Sequence, residues 1–290
     1  MRARPLLIVG LGQIGASVAL GLRAQGYPAP LSGMDVSPEV REGARSSGLF
    51  VRVEAKPGPF IREYSAILVA VPVDSIPEVL KDLQPWIAPG TWVSDTGSVK
   101  GPVVERVSRI KGHGEDWLFL GGHPMAGTER AGWEGASSKL FSGAFWIFTP
   151  TSLHRPSLRF WRHLVLRLGA KPRLLPPPLH DEMVALTSHL PYLVALTFMD
   201  RLQEKLFAQG SPDRRKWRWV TAGSFASATR VAAGDPRMSL EMIISNRGHL
   251  EEEARTFSER LLSLLEEMTR GHPSAFKRVE TLRRLRQSWY

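Results

Sequence analysis

The sequence holds no cysteine in 290 residues. Disulfides, thiolate nucleophiles and cysteine metal sites are therefore excluded, and any chemistry falls to histidine, carboxylates, hydroxyls and backbone groups; no metal site is expected. A run of about 18 apolar residues, the length that spans a bilayer, is also lacking. The basic start MRARPLLIVGLG reaches a glycine before a signal-peptide core has formed. The chain is read as cytoplasmic, with no membrane partner. What is present is 43% hydrophobic and 23% charged, enough core for one large or two medium domains.

The net charge of +10 is unevenly spread. Residues 1–150 carry 15 basic and 14 acidic side chains, and residues 151–290 the remaining 23 and 14, so the excess belongs to the second half. Much of it sits in PDRRKWRWV and RVETLRRLRQSWY, which at helical spacing read as solvated faces. No nucleic-acid motif accompanies them, and no nucleic-acid partner is expected. The same field attracts a small anionic substrate.

Short β-rich runs alternate with amphipathic stretches over the first 175 residues, the pattern of parallel βαβ units. The strand candidates are LLIVG, LSGMD, AILVAVP, TWVSDT, LFLGGH, AFWIFTP and KPRLLP. After Pro176–Pro178 the strands stop and the sequence reads helical to its end. The expectation is a Rossmann-type doubly wound α/β domain over 1–175, followed by an all-α domain over 176–290. A long helix should start near Leu179 and be kinked by Pro191.

Gly10-Leu11-Gly12-Gln13-Ile14-Gly15 fits G-x-G-x-x-G, directly after the strand Leu6–Val9 and opening a helical pattern. Gly10 makes the turn, Gly12 lets the backbone approach a pyrophosphate, and Gly15 lets helix and strand pack closely. The helix N-terminus offers free N–H donors to the phosphate. Asp35, twenty residues beyond Gly15 at the end of the second strand, suits the adenosine ribose hydroxyls. A 2′-phosphate would meet it as like charge, so NAD is expected over NADP. Val71 and Pro72 follow the strand AILVAVP and should border the same crevice.

SDTGSVKG and GGHPMAGTERAGWEGA follow two further strands, which puts Ser98 and His123 on the ligand side of an open sheet. Ser98 also reads as the N-cap of a helix starting at Val99. His123, between glycines and a proline, reads as a loop residue available for proton transfer.

The glycine loop, SDTGSVK, GGHPMAGTERAG, HDEMVALTSHLPYLVA and ATRVAAGDPRMSLEMIISN, in this order and spacing over residues 6–257, resemble the prephenate and arogenate dehydrogenase family of tyrosine biosynthesis. The resemblance implies NAD-dependent oxidative decarboxylation: hydride leaves C4 of a cyclohexadienol, carbon dioxide leaves C1, and the ring becomes aromatic. His123 matches the catalytic histidine that takes the 4-hydroxyl proton, and Ser98 a serine that orients this histidine or the substrate hydroxyl. Arg230 matches an arginine holding a substrate carboxylate, and Glu129, His180 and His189 match further site residues. Tyr192 stands where some relatives have a histidine, near the side chain that distinguishes prephenate from arogenate. His180 and His189 are nine residues apart, half a turn out of phase on a straight helix, so a structural role is expected for at least one.

The resemblance further implies a homodimer through the helical domain and a dicarboxylate substrate, with prephenate preferred and arogenate as the alternative; from the length, no ACT or chorismate mutase region is expected. Hydroxyacid and imine dehydrogenases on the same plan rely on a second-domain lysine, and none occurs between Pro178 and Lys205. An NAD-binding redox regulator would explain the charge of the second half but not His123 or Arg230.

Overall fold

The computed structural model describes residues 3–289 apart from 129, 131, 153, 209–213 and 271–272. In the first half the elements alternate: β1 (Leu6–Val9), α1 (Gln13–Ala24), β2 (Leu31–Met34), α2 (Pro38–Ser46), β3 (Arg52–Glu54), β4 (Ala66–Val69), α3 (Ile76–Leu83), β5 (Thr91–Asp95), α4 (Gly101–Ser108), β6 (Trp117–Pro124), β7 (Phe145–Thr149), α5 (Arg155–Arg167) and β8 (Lys171–Leu174). They form one sheet of order β3-β2-β1-β4-β5-β6-β7-β8, parallel except at β6–β7. The first six strands thus reproduce the 3-2-1-4-5-6 order of dinucleotide-binding sheets, whose ligands lie outside the strands' C-terminal ends where the order reverses, here between β1 and β4.

Strands buried on both faces need to be aliphatic throughout, which β1 and β4 are. Alternate residues serve opposite layers. Leu6, Ile8, Ala66 and Leu68 pack with α1 and α5 through Val18, Leu22, Phe160 and Trp161. Leu7, Val9, Ile67 and Val69 pack with α3 and α4 through Leu80, Leu83, Val103 and Val107.

Two features of the sheet depart from expectation. β3 escapes the sequence pattern, because three residues are too few to show a period. β6 runs through His123 to Pro124 because it changes neighbour: Thr91–Ser94 pair with Trp117–Leu120, and β7 then pairs antiparallel with Gly121–Pro124. His123 is a strand residue opposite Ile147, not a loop residue.

The rest is helical: α6 (Pro177–Val184), a π-helical turn (Ala185–His189), α7 (Leu190–Ala208), α8 (Arg214–Val220), α9 (Gly223–Thr229), a 3-10 turn (Arg230–Ala233), α10 (Pro236–Ser245), α11 (Arg247–Thr269) and α12 (Pro273–Trp289). The expected kink at Pro191 takes the form of the π turn. Proline has no N–H to close the α-helical bond there, and Leu190 N–H instead bonds the Ala185 carbonyl five residues back. The extra residue in the turn rotates α7 by about 100° relative to α6.

By length and composition the run Pro177–Phe207 is apolar enough to cross a membrane, with mean hydropathy 1.2 over its best window. The expectation that no such stretch exists fails on those criteria. This helix, however, carries buried His180, Asp181 and His189, and two of them bond to α4 and β6 of the sheet domain. It forms a wall of the domain interface.

Candidate active site

The glycine loop has the geometry of a phosphate floor. Gly10 adopts φ +88°, open to glycine, and a Cβ there would collide with the Ala70 carbonyl. A Cβ on Gly15 would strike the Gly10 carbonyl, so α1 could not approach β1 as it does. A Cβ on Gly12 would meet nothing within 4 Å. Close packing therefore explains the outer glycines, while the middle one faces open space at the N-terminus of α1. Leu11 is fully buried beneath Gly33, and Ile14 packs on the core, so these two side chains serve the fold.

Asp35 accepts from Leu11 N–H at 2.8 Å and Ser37 N–H at 2.9 Å, which fixes its carboxylate at the tip of β2. Gly10, Gly12, Asp35, Val71 and Pro72 all line one cleft of about 320 Å³, with Met34, Ala55 and Pro57 supplying apolar wall. An adenosine fits such a cleft, and the residues present fit a dinucleotide.

Gln13 departs from the expected cofactor role. Its amide nitrogen donates to Thr128 Oγ1 (2.5 Å) and to the carbonyls of Arg130 (2.6 Å) and Gly135 (3.2 Å), and its oxygen accepts from Thr128 N–H. The side chain is spent tying the segment after His123 to α1. Only its backbone remains for a phosphate.

A chain of buried polar groups stands behind His123. Its Nδ1 lies 2.9 Å from His180 Nε2, and His180 Nδ1 lies 2.7 Å from Asp181 Oδ1. Asp181 also accepts from the N–H groups of Lys100 (2.8 Å) and Gly101 (2.7 Å). A carboxylate accepting throughout requires the His180 proton on Nδ1, so neutral His180 accepts at Nε2 and His123 donates from Nδ1. The lone pair of His123 is then on Nε2. Burial pushes the His123 imidazole well below the ordinary histidine range, and His180, Lys100 and His189 act in the same direction.

This geometry corrects the reading of Ser98. The helix α4 begins at Gly101, and its free N–H groups are met by Asp181 from the helical domain instead of by Ser98. Ser98 is half-buried at the sheet's C-terminal edge, and its side chain forms no hydrogen bond among the described residues. The partner of His123 is His180. The π turn also answers the phase objection: His180 and His189 are both buried, and both lie close enough to bias His123 electrostatically.

Several site residues carry little or no signal in the sequence and were missed there. Lys100 is fully buried; its ammonium pairs with the equally buried Asp95 and donates to the Gly122 carbonyl at 2.8 Å. Asp95 accepts from Gly122 N–H at 2.9 Å and Gly97 N–H at 2.8 Å. The strand residue before His123 is thus held from both sides. Both residues lie within SDTGSVK, where a buried lysine close to an aspartate could have been suspected. Asp181 and Asn246 had no local signal, because their partners lie far away in sequence.

Tyr192 is half-buried, three residues beyond His189 on α7. Arg230 opens the 3-10 turn that packs on α7, and its side chain is exposed in the single chain. Glu129 lies outside the described residues. Among the described residues, no group of three His, Asp or Glu side chains is arranged to hold a metal ion.

Two family models cover the chain. That for the prephenate dehydrogenase nucleotide-binding domain matches residues 18–173, and that for the prephenate dehydrogenase dimerization domain matches residues 176–283. The chain belongs to the prephenate dehydrogenase family. It is 30% identical to a prephenate dehydrogenase of Lactococcus lactis subsp. cremoris, over 98% of this chain and 77% of that one. The fold matches the crystal structure of prephenate dehydrogenase from A. aeolicus in complex with hydroxyphenyl propionate and NAD+, with TM-score 0.89 and 26% identity over 100% and 99% of the two chains. It also matches Synechocystis arogenate dehydrogenase, with TM-score 0.80 and 27% identity over 99% and 100%. Membership extends the resemblance past residue 257, into α12.

Proposed function

We propose that this chain oxidatively decarboxylates prephenate with NAD, giving 4-hydroxyphenylpyruvate, carbon dioxide and NADH. The observation that carries the reading is the relay from half-buried His123 at the end of β6 through buried His180 to buried Asp181, on the same sheet edge as the glycine loop and Asp35. Bound NAD supplies the hydride acceptor. Asp35, held by two backbone donors, accepts from the ribose hydroxyls and repels a 2′-phosphate. Gly12 leaves room for the pyrophosphate.

His123, neutral and with its lone pair on Nε2, takes the 4-hydroxyl proton as hydride leaves C4. The positive charge that develops on His123 is shared through His180 with Asp181. Ser98, whose side chain has no other hydrogen bond among the described residues, holds the same hydroxyl. Arg230 and His189 take the substrate's carboxylates or carbonyl, and Tyr192 lies beside its side chain. Two copies pair through the helical domain, and the enzyme works in the cytoplasm.

The reading that the same site accepts arogenate stands beside this one, since family members of both kinds share the fold and the Tyr192 hydroxyl can donate or accept. Initial rates of NADH formation with each substrate test the proposal, repeated with NADP. Faster turnover of prephenate with NAD is expected. Preference for arogenate would keep the mechanism and move the substrate; no turnover of either would remove the proposed reaction.

A further inference from the structure

Asn246 joins α10 to α11 and is 3% exposed. Its Nδ2 donates to the backbone carbonyl of Asp181 at 2.8 Å and lies 3.0 Å from His189 Nδ1. A carbonyl oxygen only accepts, so the first bond fixes which end of the amide is nitrogen. The second hydrogen of that nitrogen then points at His189 Nδ1, which has to accept it. A ring nitrogen that accepts carries no proton, so the proton of neutral His189 is on Nε2.

That Nε2–H is the unusual atom of the site. His189 is fully buried, and its Nε2 has no hydrogen-bond partner among the described residues. A buried donor left unpaired is costly and calls for an acceptor. Burial holds the His189 pKa at about 4, against the opposing pull of Asp181, so the ring does not escape the cost by ionising in the neutral range. His189 also lies within electrostatic reach of His123 and His180, which puts the orphan donor in the catalytic cluster.

We propose that Asn246 is a positioning residue that locks His189 in its Nε2–H tautomer, making this N–H a fixed donor to an oxygen acceptor of the substrate, a carboxylate or the side-chain carbonyl. The identity of that ligand rests on the reaction assigned above; the tautomer does not. The same amide braces Asp181, whose carboxylate orients His180, so one side chain on the α10–α11 junction serves both histidines.

Nitrogen-15 spectra of histidine-labelled full-length protein read the tautomer directly. His189 is expected to show a bare Nδ1 and a protonated Nε2 at neutral pH. In Asn246→Asp the new carboxylate accepts from Nδ1–H, raises the His189 pKa, and leaves Nε2 bare once the ring is neutral. The KM for prephenate in this variant is expected to climb about tenfold or more as pH rises through that pKa. Wild-type KM should show no such titration. A purely structural role would lower stability without this KM dependence.

A wild-type spectrum with the proton on Nδ1 overturns the proposal, whether or not Asn246→Asp folds. So does an inverted tautomer in that variant with an unchanged KM profile. If the wild type turned over neither prephenate nor arogenate, the assigned reaction would fail while the spectrum still reported the tautomer.

Discussion

His123 has to satisfy two opposed demands. It must stay neutral to accept a proton, and burial, with the Lys100 ammonium acting in the same direction, ensures this by lowering its basicity. A weakly basic imidazole is a poor proton acceptor unless the charge it gains is stabilised, and the bond through His180 to Asp181 supplies that stabilisation as the charge develops. The relay therefore matters most in the transition state. Replacing His123 with Asn keeps a polar group but removes the lone pair on Nε2, and kcat is expected to fall about a hundredfold or more. Because the cofactor cleft is lined by β1, β2 and β4 residues and not by His123, NAD affinity measured by titration should stay near wild type. A near-normal kcat would remove His123 from the chemistry.

At the scale of elements, the join between β5 and α4 is where the two domains depend on each other. Asp181 from α6 caps α4, and the Lys100–Asp95 pair lies sealed beneath β6. The Lys100 ammonium is held below its ordinary pKa by burial, with Asp95 opposing. Lys100→Met keeps the apolar stem and strands the Asp95 carboxylate, which should cost about 3–5 kcal/mol in denaturant unfolding. Adding Asp95→Leu should recover part of the loss. A single variant within about 1 kcal/mol of wild type would mean that the pair is not a buried charge pair.

This join also marks where the sequence stops being readable. Gly15 and Asp35 announced themselves because each answers to a contact within one βαβ unit, and β1 and β4 did so through their unbroken aliphatic runs. The start of α4 was misread because its cap comes from Asp181, 80 residues away, and a local rule assigns a cap to the nearest serine. His180 and His189 looked out of phase because nothing local signals a π turn except a proline that equally predicts a kink. Gln13 fitted the glycine motif, yet its side chain binds a segment more than 110 residues on. Local geometry is legible in sequence; partners brought together by folding are not.

The whole molecule leaves its apolar surface unevenly placed. Along α11, Phe257, Leu261, Leu265 and Met268 recur at helical spacing and stand exposed in the single chain, as do Phe276, Val279, Leu282 and Leu285 along α12. On α12, Arg283 and Arg284 pair with Glu280. An amphipathic helix with its apolar face bare has a missing neighbour, and the model matched by this half of the chain is that of a dimerization domain. The pairing of two copies proposed above would also have to cover the exposed apolar residues of Pro177–Phe207, which is only 28% buried over its most apolar window. Light scattering at micromolar concentration should give about twice the chain mass of 32.3 kDa. Charges placed in the stripe, as in the pair Leu261→Glu and Leu265→Glu, should halve that mass, while NAD binding in the sheet domain persists. A monomeric wild type would sink the assignment of this face to a second copy.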